Sequence, residues 1–452
     1  MANISKELFD IQKDIEKIAA DYGLDFFETV FEMVTYKQMN QIAAYGGFPI
    51  RYPHWRFGME YESLSKGYEY GLSKIYELVI NNDPCYAYLL EGNSLVDQKL
   101  VMAHVYGHCD FFKNNKWFAN TDRKMMDTMA NHAVRVRRFI DRYGIEEVEN
   151  FIDTCLSIEN LIDRHALDHF NLKSYKNEGD EPSAEKDILR FLIDHAPIED
   201  WKKDILHIIR TESYYFAPQG MTKIMNEGWA SYWHSKMMTQ DICNDSEIVQ
   251  FADVHSGTMA MNPHGFNPYK IGIELFRDIE NRWNKGRFGR EWSQCENLQE
   301  KANWDLNLGQ GRDKIFQVRR DYNDVGFIDE FLTEEFCVEH KMFVYKFNKK
   351  SNQFEVDTRD FKAIKSKLLF QIANFGQPII SVVDKNFGQK GELLLSHLFE
   401  GVELQPDYMR ETMSKVYEIW RSPINIATVL DKEAKIVRYN GEEFEVLDFD
   451  KG

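Results

Sequence analysis

The chain is short of positive charge. Lysine and arginine number 55 against 73 aspartates and glutamates in 452 residues, a formal net charge of −18. Such a surface repels phosphate backbones and anionic leaflets, so neither nucleic acid nor a membrane surface is expected as a partner. Long apolar runs are missing too, since none approaches the roughly 18 residues that span a bilayer. The opening MANISKELFDIQKDIEKIAA carries Ile4, Leu8, Ile11, Ile15 and Ile18 as a helical stripe broken by charges. That pattern is an amphipathic helix rather than a secretion signal, and the expected location is the cytoplasm. The six cysteines, Cys85, Cys109, Cys155, Cys243, Cys295 and Cys337, form no CxxC pair. Scattered thiols argue against a disulfide framework and against a thiolate metal site. No internal repeat and no low-complexity tract is present.

What the chain does have is core-forming material: 43% of residues are hydrophobic and 14% aromatic, enough to bury a core without staples. From about residue 5 to 280 the texture is helical, with 120–143 (NTDRKMMDTMANHAVRVRRFIDRY) showing 3.6-residue periodicity. Polar stretches at 173–187 and 284–313 read as a solvated loop and a connector. After about 330 the texture changes. MFVYKFN and FEVDTRD read as strands, FKAIKSKLLFQIANF as a helix closed by Gly376, PIISVVD as a strand and DYMRETMSKVYEIWR as a helix. INIATVL, AKIVRYN and EEFEVLDF then read as terminal strands, with Asn440-Gly441 as a hairpin turn. The expected fold is mainly α: a large helical domain over 1–325, then a smaller α+β domain over 330–452.

Two segments carry candidate chemistry. In EGNSLVDQKLVMAHVYGHCDFF, Ser94 and Asp97 form a capping box that opens a helix. His104 and His108 then stand one turn apart on one face, the spacing at which two imidazoles grip one metal ion. Val105 occupies the place where the HExxH motif of zinc peptidases has its glutamate, so the metal grip is present without the usual general base. In GMTKIMNEGWASYWHSKMM, Glu227 and His234 share a helix face. They are two turns, about 10 Å, apart. A glutamate from a separate helix is a common third zinc ligand, so Glu227 is the candidate for that place and His234, too far along to share the ion, a neighbouring or substrate-facing group. Isolated HxxxH pairs are commonly core histidines. The case for ligation rests on the company of the EGW helix and of Asp110 and Asn114, polar groups set among Phe111, Phe112, Trp117 and Phe118.

Other polar residues are candidates for the missing parts. Glu212, Asp110 or His234 could serve as the base, since a base needs only hydrogen-bond reach of the water. For Glu212 the competing expectation is a salt bridge with Arg210 or Arg190. Arg51, His54, Arg56 and Glu60 in RYPHWRFGMEYE could line an anionic pocket, or the loop could simply pack its aromatics. His255, with His264 after Asn262-Pro263, is expected in a loop rich in glycine, proline and asparagine, of the kind that presents functional groups. His132 reads as a core or supporting residue, and RVRRFIDR at 135–142 as a solvated face.

Several blocks together, RYPHWRFGMEYE, MAHVYGHCDFFKNN, MANHAVRVRRFIDRYG, YYFAPQGMTKIMNEGWASYWH, DVHSGTMAMNPHGFNPYKIG and the tail blocks FVYKFN, LLFQIANFGQP and GELLLSHLFEGVEL, resemble those of the stage V sporulation protein R (SpoVR) family over about residues 5–445. The resemblance implies a cytoplasmic protein tied to spore cortex formation or, in relatives outside spore formers, to a stress role, and it supplies no established catalytic residue. The HxxGH and NEGW pair also resembles the zinc-ligand layout of gluzincin peptidases, which implies a zincin-like core with His104, His108 and Glu227 as ligands of zinc or another divalent transition metal. Two expectations result. One is a metal-dependent amidase or peptidase acting on cell-wall peptide material; the other is a non-enzymatic regulatory or assembly protein that binds a protein partner.

Overall fold

The computed structural model describes residues 2–69, 77–165, 185–259, 266–348 and 351–448. It divides into two compact units that interleave along the chain. The first takes Met1–Ile50, Arg56–Asp127 and Pro218–Ala373, the second Arg51–Trp55, Thr128–Ala217 and Asn374–Gly452. Among the described residues no helix is long and apolar enough to cross a membrane.

The first unit is built around the helix Leu95–Asn114. Ser94 opens it with the expected reciprocal capping box to Asp97, which satisfies two otherwise orphaned N–H groups. From Val101 to Phe112 every residue is buried. A helix buried around its whole circumference is enclosed by neighbouring elements on every side. On one flank lies a four-stranded sheet in the order Ala2–Asn3, Thr29–Val34, Cys85–Leu90, Glu77–Ile80. Its central pair is parallel, Thr29 facing Cys85 and Val34 facing Leu90. This sheet corrects the helical reading of residues 5–280. Its strands are only two to six residues long, too short to stand out between long helical patterns.

On the other flank packs the helix Lys223–Met237, which in turn packs on Pro268–Lys285. Small residues set both spacings. A Cβ on Gly107 would stand 2.7 Å from the Ala230 Cα, and one on Gly228 would stand 2.4 Å from Gly272 backbone atoms. Lys223–Met237 has no side-chain cap of its own at Thr222. Asp324, a hundred residues on, accepts from the Ile224 and Met225 N–H groups at 2.8 and 2.9 Å and does the capping. Pro268–Lys285 ends on the left-handed Gly286, and the connector after it forms short helices at Gly289–Gln294 and Leu298–Ala302.

The second unit holds a five-stranded sheet ordered Phe444–Asp448, Glu433–Tyr439, Ile424–Leu430, Glu392–His397, Ile380–Phe387. All neighbours are antiparallel except Glu392–His397 beside Ile424–Leu430, the pair bridged by the helix Pro406–Trp420. The Asn440-Gly441 hairpin forms as expected, with Gly441 at φ +102°. The hairpin Val344–Asn348 with Gln353–Thr358 also matches the reading of the sequence, and it clusters with the first unit. The chain is thus mainly helical with a β-rich C-terminal region. The loop expected at 173–187 lies almost wholly outside the described residues, and so does His264.

Candidate metal centre

Because Gly107 and Ala230 let the two helices approach, side chains on their facing sides meet. His104 Nε2 and His108 Nε2 each lie 3.5 Å from the same oxygen, Glu227 Oε2. The donor atoms of the three residues all lie within 4.8 Å of one another. A tetrahedral ion about 2.0–2.2 Å from each donor sets donors about 3.4 Å apart, so the Glu227 oxygen stands at ligand spacing from both imidazoles. At 3.5 Å the contacts are too long to be good hydrogen bonds. Glu227 Oε2 is in fact buried with no hydrogen-bond partner, a costly state for a carboxylate unless something else meets it. The donor set, two imidazoles and a carboxylate, suits zinc and its first-row neighbours.

Supporting groups fix the ligands. His108 Nδ1 lies 2.9 Å from Asn226 Oδ1. With the amide oxygen accepting, the ring proton sits on Nδ1 and the Nε2 lone pair faces Glu227. His104 Nδ1 lies 2.7 Å from His234 Nδ1, and His234 Nε2 lies 3.0 Å from His255 Nδ1. The Tyr269 ring stacks on His104 at 6.3 Å between centroids.

The electrostatics suit ligation. Burial, aided by the neighbouring His104, pushes His108 down to about 4. Burial with His104 and His255 holds His234 well below the usual histidine range, and burial with Arg277 takes His255 to about 4. These rings are neutral at physiological pH, the form in which imidazole binds a metal. Burial works against ionisation of Glu227, yet His104, His108 and the Tyr269 hydroxyl outweigh it and hold the carboxyl below its ordinary value.

The sequence-derived candidates for the base fare differently. Asp110 is two positions from His108, about 200° around the helix, so it faces away from the donors. Its carboxylate accepts from the Asp25 N–H at 2.8 Å and Trp229 Nε1 at 2.7 Å and lies 3.3 Å from Arg319. Burial raises its pKa to about 6 against those partners. Asp110 ties the helix to its surroundings. Glu212 belongs to the second unit. It pairs with neither Arg210 nor Arg190, which are taken by Asp187 and Asp194. Its oxygens instead meet Arg51 Nη2 at 2.6 Å and His132 Nδ1 at 3.0 Å, all three residues being buried. His54 Nε2 lies 3.2 Å from Asp153, and Arg56 is exposed at the start of the helix Trp55–Glu69. His255 sits on the helix Ile248–Thr258, not in a loop; the Pro, Asn and most Gly residues that suggested a loop come after it.

Three groups at the centre escaped the reading of the sequence: Asn226 and Tyr269, and the link between His255 and His234. Asn226 adjoins Glu227, and a side chain next to a ligand could have been flagged. Tyr269 and His255 lie on other helices, and their spacing carries no signal.

The model of the family described as SpoVR like protein matches residues 3–184 and 173–377. The uncharacterized protein YcgB of Escherichia coli (strain K12) is 27% identical over 476 residues, an alignment covering 92% of this chain and 90% of that protein. No solved structure matches.

Proposed function

The chain belongs to the SpoVR family, which suggests a sporulation-related protein, and on that premise we propose that it is a metal-dependent hydrolase with a zincin-like core. Its substrate in this reading is an amide or peptide bond of cell-wall peptide material. The observation that carries the proposal is the convergence of His104 Nε2 and His108 Nε2 on the unpartnered Glu227 Oε2. Among the described residues three protein donors converge rather than four, the mark of a site that keeps a position open for chemistry. Zinc or a similar ion held there would supply Lewis acidity toward a carbonyl and a bound water of near-neutral pKa. Asn226 and His234 would orient the ligands. In this reading Tyr269, which stacks on His104 and lies beside Glu227, would turn its hydroxyl from Glu227 to a substrate carbonyl. Hydrolysis forms a C–O bond from water, breaks the C–N bond, and delivers a water proton to the leaving amine.

One observation favours a second reading, a regulatory or assembly protein whose metal is structural. Val105 removes the usual base, and Asp110 and Glu212 are both engaged elsewhere. Incubating the zinc-loaded protein with soluble cell-wall peptides and following products by mass spectrometry separates the two. Cleavage by the wild type that is lost in Glu227→Ala supports the hydrolase; zinc bound without cleavage supports the second reading.

A further inference from the structure

His104, His234 and His255 form a continuous row of imidazoles, with ring nitrogens 2.7 and 3.0 Å apart. It runs from a ligand of the candidate centre to a half-buried ring on the helix Ile248–Thr258. A role for the row rests on the metal reading of that centre. In the neutral form that ligation requires, each of the three imidazoles carries one proton, and each contact holds one between two nitrogens. Fixing one ring therefore fixes all three, which leaves two orders.

In the first order His104 Nδ1–H donates to His234 Nδ1, His234 Nε2–H donates to His255 Nδ1, and His255 keeps its proton on Nε2. In the second every bond is reversed: His255 Nδ1–H donates to His234 Nε2, His234 Nδ1–H donates to His104 Nδ1, and His104 carries its proton on Nε2. That proton then points at Glu227 Oε2, the buried oxygen with no other partner. Only the first order leaves His104 Nε2 with the lone pair a metal needs.

We infer that His234 and His255 are positioning residues that hold His104 as an Nε2 ligand, and that filling the centre with a divalent cation sets the row in the first order. The occupancy of the buried site is thereby written into the tautomer of His255. No ring changes its charge. Going from the second order to the first, His104 Nε2 gives a proton to water, one proton shifts within each of the two hydrogen bonds, and His255 Nε2 takes a proton from water. The charges of Arg277, Glu274 and Lys270 on the helix Pro268–Lys285 act on the His255 ring.

The test is zinc titration of protein labelled with 15N in its histidine rings, read by long-range 1H–15N NMR, with His255 assigned from His255→Ala. Zinc is expected to move the proton of His255 from Nδ1 to Nε2. His234→Ala should abolish that change and weaken zinc binding by roughly 10- to 100-fold, the usual effect of losing a partner behind a metal ligand. His234→Asn, which keeps an acceptor for His104 but not the link to His255, should recover most of the affinity and none of the tautomer change. If His234→Ala does not fold, His255→Ala gives the affinity arm of the test one link further out, with a smaller loss of affinity expected and an unchanged affinity counting against the inference, while the wild type alone carries the tautomer arm. Stoichiometric zinc binding with an unchanged His255 tautomer would overturn the inference, as would full affinity in His234→Ala. Failure of the wild type to bind zinc would instead overturn the metal reading beneath it.

Discussion

Gly107, between the two histidines, lies so close to Ala230 of the glutamate helix that a Cβ placed on it would stand 2.7 Å from the Ala230 Cα and 3.1 Å from its Cβ. The contact is with backbone, which cannot swing aside. The glycine of HVYGH is thus what lets Glu227 reach His104 and His108.

Gly107→Ala sets two effects against each other. Helix propensity alone predicts a gain of up to about 1 kcal/mol. Overpacking at a helix crossing costs about 1–3 kcal/mol, and here it must also part the donors. We expect a net loss of stability in urea unfolding together with weaker zinc binding. A stabilised variant with unchanged affinity would mean that the crossing is not what holds the site.

Asn226 holds His108 by one hydrogen bond of 2.9 Å to Nδ1. Asn226→Ala should weaken zinc binding by about 10- to 100-fold, whereas Asn226→Asp, which can still accept that bond, should retain tight binding. Calorimetric titration of both variants checks this. Equal affinity in Asn226→Ala would show that the ring is oriented by packing alone.

Asp324 caps the glutamate helix from within the core, and burial raises its pKa to about 7 despite two backbone N–H donors. Its unfolded value is near 3.9. The folded state therefore binds the proton more tightly, and the stability linked to this group is fully present below pH 4 and lost as pH rises through about 7. Relative to Asp324→Asn, which cannot titrate, the wild type should lose stability between about pH 4 and pH 7. Parallel stability curves for the two proteins would show that the capping carboxylate does not titrate in that window.

Glu212 is joined to Arg51 and His132 within the second unit. Removing one partner of a buried ion pair leaves the other uncompensated and costs about 3–5 kcal/mol. Glu212→Ala should be strongly destabilised in urea unfolding and still bind zinc with wild-type stoichiometry at low temperature. Loss of zinc from a folded variant would return Glu212 to the metal chemistry.

Much of this was legible in the sequence because it depends on local spacing. The i,i+4 pair His104 and His108, the Ser94–Asp97 capping box and the Asn440-Gly441 turn are each decided within a few residues. The terminal strands also read correctly, since each is a β-rich run bounded by turn residues. The family resemblance held for the same reason, several local blocks recurring together. What failed to show depends on tertiary contact. TVFEMV and CYAYLL become strands by pairing across more than fifty residues. Glu212 found Arg51 rather than the arginines near it in sequence, and Asp324 caps a helix a hundred residues away. Asp110 was drawn to the site by proximity in sequence, although two residues along a helix is nearly the opposite face.

The central claim is that His104, His108 and Glu227 hold one metal ion. Elemental analysis of the purified wild type beside His104→Ala and Glu227→Ala tests it most directly. Near one equivalent of zinc or another transition metal in the wild type, lost in both folded variants, is the result the geometry predicts. A carefully handled wild type without metal, or variants that keep it, would contradict the assignment.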